Sequence, residues 1–213
     1  MSLSTDDLRI RTGQFDLELV QELNLSTNKL FDISSLSFCT SLMILNLSSN
    51  LISDINPLSD LKSLKVLILN SNLISNITLL SQLYQLNTLE LAGNKLISID
   101  AFITLGSLYN LKQLLINDVT NELSNPVCKQ PDYFIQVVDM LPMLRNLDRI
   151  QINNRTNLLH QNYCPKDVEK PQDWISINID TELIKHEREF VFQKEKLEES
   201  LDNKFIEITS ILN

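Results

Sequence analysis

Catalytic or metal chemistry in this chain would have to rest on two histidines, three cysteines and three glycines. His160, Tyr163 and Cys164 lie close in sequence, but they bring too few ligands for the three or four that a zinc site takes. Gly13, Gly93 and Gly106 are scattered, so no glycine-rich loop is present to cradle a phosphate. No Cys–His or Ser–His pair has a recognisable catalytic setting, and both histidines, His160 and His186, fall late in the chain. We therefore read no catalytic residue, no metal and no cofactor, and expect a protein that is not an enzyme. The chemistry that does show a pattern is amide hydrogen bonding. Asn28, Asn50, Asn72 and Asn94 stand 22 residues apart without a slip. Each side chain offers both a donor and an acceptor, which suits buried backbone groups that have no ladder partner. Left unpaired, each such group would cost about 1–3 kcal/mol.

Something must hold these amides in place, and the leucines supply it. Each asparagine follows a repeat-opening apolar residue, Val20, Leu42, Leu64 or Leu86, at one fixed distance. The triads Val20/Leu23/Leu25, Leu42/Leu45/Leu47, Leu64/Leu67/Leu69 and Leu86/Leu89/Leu91 keep one spacing. A fifth unit opens with Leu111, Leu114 and Ile116, 25 residues after the fourth, and has Val119 in its asparagine slot. A period of this length with this leucine pattern is the mark of a leucine-rich repeat. The expected fold is α/β: a solenoid of about five repeats whose short strands form a parallel concave sheet. The second half of each unit adds inward residues, such as Leu51/Ile52, Ile55, Leu58 and Leu61 in the second.

An open stack leaves a hydrophobic cross-section at each end that needs a cap. Residues 1–19 read as the N-terminal cap, with Ser4 or Thr5 starting a short helix and Leu8, Ile10 and Phe15 covering the first repeat. Residues 20–124 are the repeats and 125–152 the C-terminal cap. There, Asn125-Pro126 opens a turn or helix, and Tyr133, Phe134, Val137, Val138 and Leu141 give a helical apolar face. Residues 153–179 read as a polar linker. Residues 180–213 form an expected C-terminal helix, with Leu183, Phe190 and Leu197 seven apart. Its single apolar stripe needs a partner, either the solenoid or a helix of another protein.

The net charge is −9, with 15 acidic against 10 basic residues in 1–152 and 12 against 8 beyond. Neither part reads as a basic module, so we expect no direct nucleic acid and no membrane contact. The segment "MSLSTDDLRIRTGQF" lacks the apolar core of a secretory signal, and no run of 18 apolar residues exists. Cys39, Cys128 and Cys164 suit free thiols in a reducing compartment, so a cytoplasmic location is expected. The N-x-S/T triplets at Asn24, Asn46, Asn76 and Asn154 are then incidental.

The 22-residue units resemble the short class of leucine-rich repeat found in phosphatase regulatory subunits, axonemal dynein light chain 1 and the spliceosomal A-prime protein. Asn125, Pro126, Tyr133, Leu141, Pro142, Leu144, Leu147 and Asp148 match the outline of that class's C-terminal cap. "RTGQFDLEL" and "LSNPVCKQPDYF" are similar to segments of the leucine-rich repeat-containing protein 61 family, over about residues 8–150. That resemblance brings no catalytic motif. It implies a scaffold or adaptor, by analogy in a ciliary or microtubule-associated assembly at the cilium or axoneme. Two alternatives stand beside it: an RNA-processing particle in which the chain holds a partner RNA-binding protein, and a phosphatase regulator. Five units are fewer than the phosphatase subfamily uses.

Strand residues between the buried leucines should face the concave side. They line up as Glu22, Ile44, Val66, Thr88, Gln113; then Asn24, Asn46, Ile68, Glu90, Leu115; then Ser26, Ser48, Asn70, Ala92, Asn117. Adjacent Ile44, Val66 and Ile68 with a polar rim are the pattern of a protein contact. The candidate partner-binding residues are therefore Glu22, Asn24, Ile44, Asn46, Val66, Ile68, Glu90, Gln113 and Leu115. The matching partner is an amphipathic helix or the chain's own tail.

Overall fold

A computed structural model describes residues 1–130 and 132–152, all within one compact unit. The linker and C-terminal helix expected at 153–213 lie outside the described residues. Five three-residue strands, β1 (Glu22–Asn24), β2 (Ile44–Asn46), β3 (Val66–Ile68), β4 (Thr88–Glu90) and β5 (Gln113–Leu115), pair in parallel in chain order. A two-stranded hairpin follows, β6 (Asn117–Asp118) with β7 (Leu123–Ser124). Strand β8 (Asn146–Leu147) extends the main sheet in parallel, and β9 (Ile150–Gln151) closes it antiparallel.

The strands are short because only the central leucine of each, such as Leu45, Leu67 and Leu89, points inward between two outward residues. All the leucines of the four triads are buried, and Val20 with them. Opposite the sheet run 3₁₀ turns at Ser34–Phe38, Asn56–Leu58, Thr78–Gln82 and Ile99–Ser107. From the second unit Ile52, Ile55, Leu58 and Leu61 enter the core, whereas Leu51 remains half exposed.

The asparagine series lies between these layers. Asn72 donates from Nδ2 to the carbonyls of Leu47 and Leu69 at 2.9 and 3.0 Å, and its Oδ1 accepts from the Ile52 N–H at 3.1 Å. Asn50 and Asn94 repeat this arrangement one turn to either side. Asn28 has no preceding turn to serve. It is half exposed, donates to the carbonyl of Ser26 and accepts from Arg11.

The fifth unit departs from the expected register. Val119 is 79% exposed, and the buried amide is Asn125, which donates to the carbonyls of Leu91 and Ile116, both at 2.8 Å, and accepts from Leu96 N–H. The β6–β7 hairpin is the cause: it loops residues outward before the chain returns. Asn125 thus serves twice, as ladder member and as the residue before the Pro126–Lys129 turn.

At the N-terminus, α1 (Thr5–Thr12) starts at Ser4, whose hydroxyl accepts from Asp7 N–H in a capping box. Only Leu8 of this helix is buried. Ile10 and Phe15, expected over the first repeat, are 81% and 86% exposed, and Leu3 and Leu17 cover the core instead. The Phe15 ring lies under the Arg9 guanidinium, 5.1 Å from its centroid. At the other end α2 (Tyr133–Met140) buries Val137 and Val138, with Leu141 following and Tyr133 and Phe134 packed half-buried against the core.

Candidate protein-binding face

The register of the sheet sets the concave columns. Glu22, Ile44, Val66, Thr88 and Gln113 pair in sequence across the strands, and Asn24, Asn46, Ile68, Glu90 and Leu115 form the next column. Neighbouring strands lie about 4.8 Å apart, so Ile44, Val66 and Ile68 make one continuous apolar area at the centre. All three are partly exposed. Glu22 and Asn24 are exposed at the edge strand, and Asn46, Glu90 and Gln113 are partly exposed.

Two features limit what this face offers. Asn24 and Asn46 accept from the N–H groups of Ser26 and Ser48 at 3.0 and 2.9 Å, so part of their polarity is used in closing the strand ends. Leu115 sits in its column but only 6% of it is exposed, so it contributes to the wall and little to a contact. Glu90 accepts from the Asn70 amide, which turns its Oδ1 to the Ala92 N–H.

Sequence reading placed no arginine on this face, and the structure brings one there. Arg149, together with Thr88, Glu90, Gln113, Leu115 and Asn146, lines a depression of about 60 Å³. Small-molecule pockets run to about 300–1,000 Å³, so this one has room for a side chain and little more. Arg149 follows Asp148 in a turn where both have positive φ, 51° and 65°, and its guanidinium pairs with Asp118 at 2.7 Å. Burial alone would raise the Asp118 carboxyl, but Asn121, Arg149 and the N–H of Thr120 hold it below the usual carboxylate range. The signal was available only in the cap outline, where nothing says which way the residue after the aspartate turns.

Behind the face, Asp148 accepts from the N–H groups of Ile116 and Asn117 at 2.7 and 2.9 Å and from the Tyr133 hydroxyl at 3.0 Å. Burial pushes the Asp148 carboxyl up, and burial with the nearby carboxylate pushes the Tyr133 hydroxyl to about 12. These groups hold the last turn together. Cys39 is buried and Cys128 partly so, and burial raises both thiols. Among the described residues no cluster of His, Cys, Asp and Glu could hold a metal ion, and no helix is long and apolar enough to cross a membrane.

The pattern of the leucine-rich repeat family matches residues 10–167, most of the chain. The chain belongs to the leucine-rich repeat family. Its fold is similar to an internalin, inlF of Listeria monocytogenes, at 31% identity and TM-score 0.51, covering 61% of this chain and 34% of that one. The chain thus spans about a third of that internalin. It is also similar to a chain of the Drosophila melanogaster SNF/U2A' complex, at 27% identity and TM-score 0.57, covering 66% of this chain and 79% of that one. No curated protein matches the chain. The narrower resemblance to the leucine-rich repeat-containing protein 61 family is not confirmed by these matches.

Proposed function

We propose that this leucine-rich repeat protein is a non-enzymatic adaptor whose concave face seats an amphipathic helix of another protein. The observation that carries the reading is the adjoining Ile44, Val66 and Ile68, flanked by Glu22 and Glu90. A helix with an apolar stripe and Lys or Arg beside it complements that arrangement. The assembly is cytosolic, with a ciliary or microtubule-associated context favoured by the short-class resemblance alone.

Proximity labelling in cells with and without cilia would nominate the partner. Substituting Val66→Lys and Ile68→Lys together should then weaken capture of the purified partner by more than tenfold, about 1.4 kcal/mol. Both side chains face outward, so the variant should fold. Undiminished binding by the folded double variant would remove the concave face as the main site.

A second reading has its own support: a neighbour in fold was solved in a complex with SNF. Here the same face would hold a partner RNA-binding protein, and the partner, not this acidic chain, would contact RNA. Nuclear labelling with co-purified ribonucleoprotein would favour it over the ciliary context.

A further inference from the structure

The concave face is not the only surface that stacking creates. On the rim where the strands begin, each turn contributes four residues: 18–21, 40–43, 62–65, 84–87, 109–112 and 142–145. Backbone hydrogen bonds string their last members into one column. Lys65 N–H donates to Met43, Asn87 to Lys65, Lys112 to Asn87 and Arg145 to Lys112, each at 2.8 Å. Lys65, Lys112 and Arg145 therefore share one line across four strands, about 14 Å at ~4.8 Å per step. Lys62 adds a fourth cation on the preceding turn position.

The balance of charge on this rim is the reverse of the rest of the molecule. Its six segments hold four of the ten Lys and Arg of residues 1–152 and one of their 15 Asp and Glu, Glu18, which lies on the first turn at the end away from Lys112 and Arg145. Among the described residues the ion pairs are Arg9–Asp6 and Arg149–Asp118, and neither involves a rim cation. Lys112 donates to the carbonyl of Tyr109 at 3.0 Å, and Lys62 to the Gln82 side chain at 3.1 Å. Burial and the neighbouring Arg145 together hold the Lys112 ammonium below its ordinary range, as expected where two cations meet without a counter-ion.

Apolar anchors lie in the same strip. Tyr84 and Tyr109, two residues before their repeat-opening leucines, are 61% and 70% exposed, and Met143 is half exposed. The Asn110 amide joins the two tyrosine turns by donating to the carbonyl of Tyr84 at 2.8 Å. Exposed tyrosines beside an arginine are residue types enriched at protein hot spots, and the concave columns carry no tyrosine.

We propose that this rim is a second binding surface, for an acidic polypeptide segment carrying an aromatic or large apolar residue among its carboxylates. The strip matches about four residues of extended chain at ~3.3 Å each. Such a segment ends where the patch ends. A longer polyanion such as nucleic acid would run on past the patch, within a Debye length of about 8–10 Å of an acidic body.

Fluorescence anisotropy on the full chain tests this with a short labelled peptide of Asp and Glu around one Phe. A peptide with Lys replacing the acids and a short labelled oligo(U) serve as comparisons. The acidic peptide should bind, less tightly as salt rises, and the lysine peptide should not. Lys65→Glu and Arg145→Glu should each weaken binding about tenfold, and Tyr84→Ser with Tyr109→Ser should weaken it without lowering the melting temperature. Val66→Lys/Ile68→Lys should leave this binding intact, which separates it from the concave-face reading. Equal binding by the folded Lys65→Glu and Arg145→Glu proteins, or tighter binding of oligo(U) than of the peptide, would overturn the proposal.

Discussion

The middle turns and the last turns of this solenoid solve one problem with different residues. From Leu42 to Leu96 the chain repeats itself: Asn50, Asn72 and Asn94 each serve the backbone of their own turn and of the one before. Beyond Leu111 the period fails, yet the interior rule holds. Asn125 takes the amide role from beyond a hairpin, and Asp148 accepts from the next pair of N–H groups at Ile116 and Asn117. The constraint is therefore on buried backbone groups, which must find partners. The spacing is only the cheapest way of meeting it when every turn is alike.

Breaking a ladder member in each region is the strongest test of that equivalence. Asn72→Leu should destabilise by about 1–3 kcal/mol, toward the upper end because several groups in two turns lose their partner. Asn125→Leu should cost as much, although it lies out of register, and Val119→Asn should change nothing because that position faces solvent. Chemical denaturation of the purified protein measures all three. A mild Asn125→Leu beside a severe Asn72→Leu would mean that the end turn is held by its cap rather than by its amide.

A smaller effect is expected where the regions meet. The residue before each ladder asparagine has positive φ in all four units: Thr27 60°, Ser49 56°, Ser71 55° and Gly93 71°. Serine evidently tolerates this position in the middle turns, at a backbone cost of about 1–2 kcal/mol. At Gly93 a Cβ would also meet Leu123 of the hairpin at 3.1 Å. Gly93→Ala should therefore destabilise by about 1–2 kcal/mol, and adding Leu123→Ala should recover part of that. Strict additivity in this double-mutant cycle would show that the hairpin does not press on the fourth turn.

The same contrast explains what could be read in advance. Strands, core leucines and the amides at Asn50, Asn72 and Asn94 were legible because each turn repeats the demands of the last. Asn125 was not, since hydrophobic period says nothing about a loop that leaves the core and returns. In α1 one buried residue, Leu8, leaves no stripe to read, so Ile10 and Phe15 were assigned inward on hydrophobicity alone. Lys65 and Lys112 form no pattern in the sequence, because the rim that joins them to Arg145 is made by stacking residues far apart in sequence. The concave columns followed from the strand period, but Arg149 entered that face through a cap turn with no period at all.

The finest distinction between the two regions is that one ladder is neutral and its terminal member is a carboxyl. Burial raises Asp148, while the N–H groups of Ile116 and Asn117 and the Tyr133 hydroxyl pull it down and nearby Asp118 pushes it up. A folded-state value above the unfolded one means that stability from this group is fully present below about pH 3.9 and is lost as pH rises through the raised value. Asp148→Asn keeps an oxygen for both N–H groups and cannot ionise. Its melting temperature relative to the unaltered protein should therefore improve as pH goes from 3 to 7, by a small amount. Asp7 and Asp32, both shifted down, lose stability toward acid in both proteins and cancel in the difference, whereas Asp118 loses a repelling neighbour in the variant, which adds to the improvement at higher pH. A difference that instead worsens with rising pH would show that the Asp148 charge is a net stabiliser, and that the carboxyl at the end of the ladder does something an amide could not.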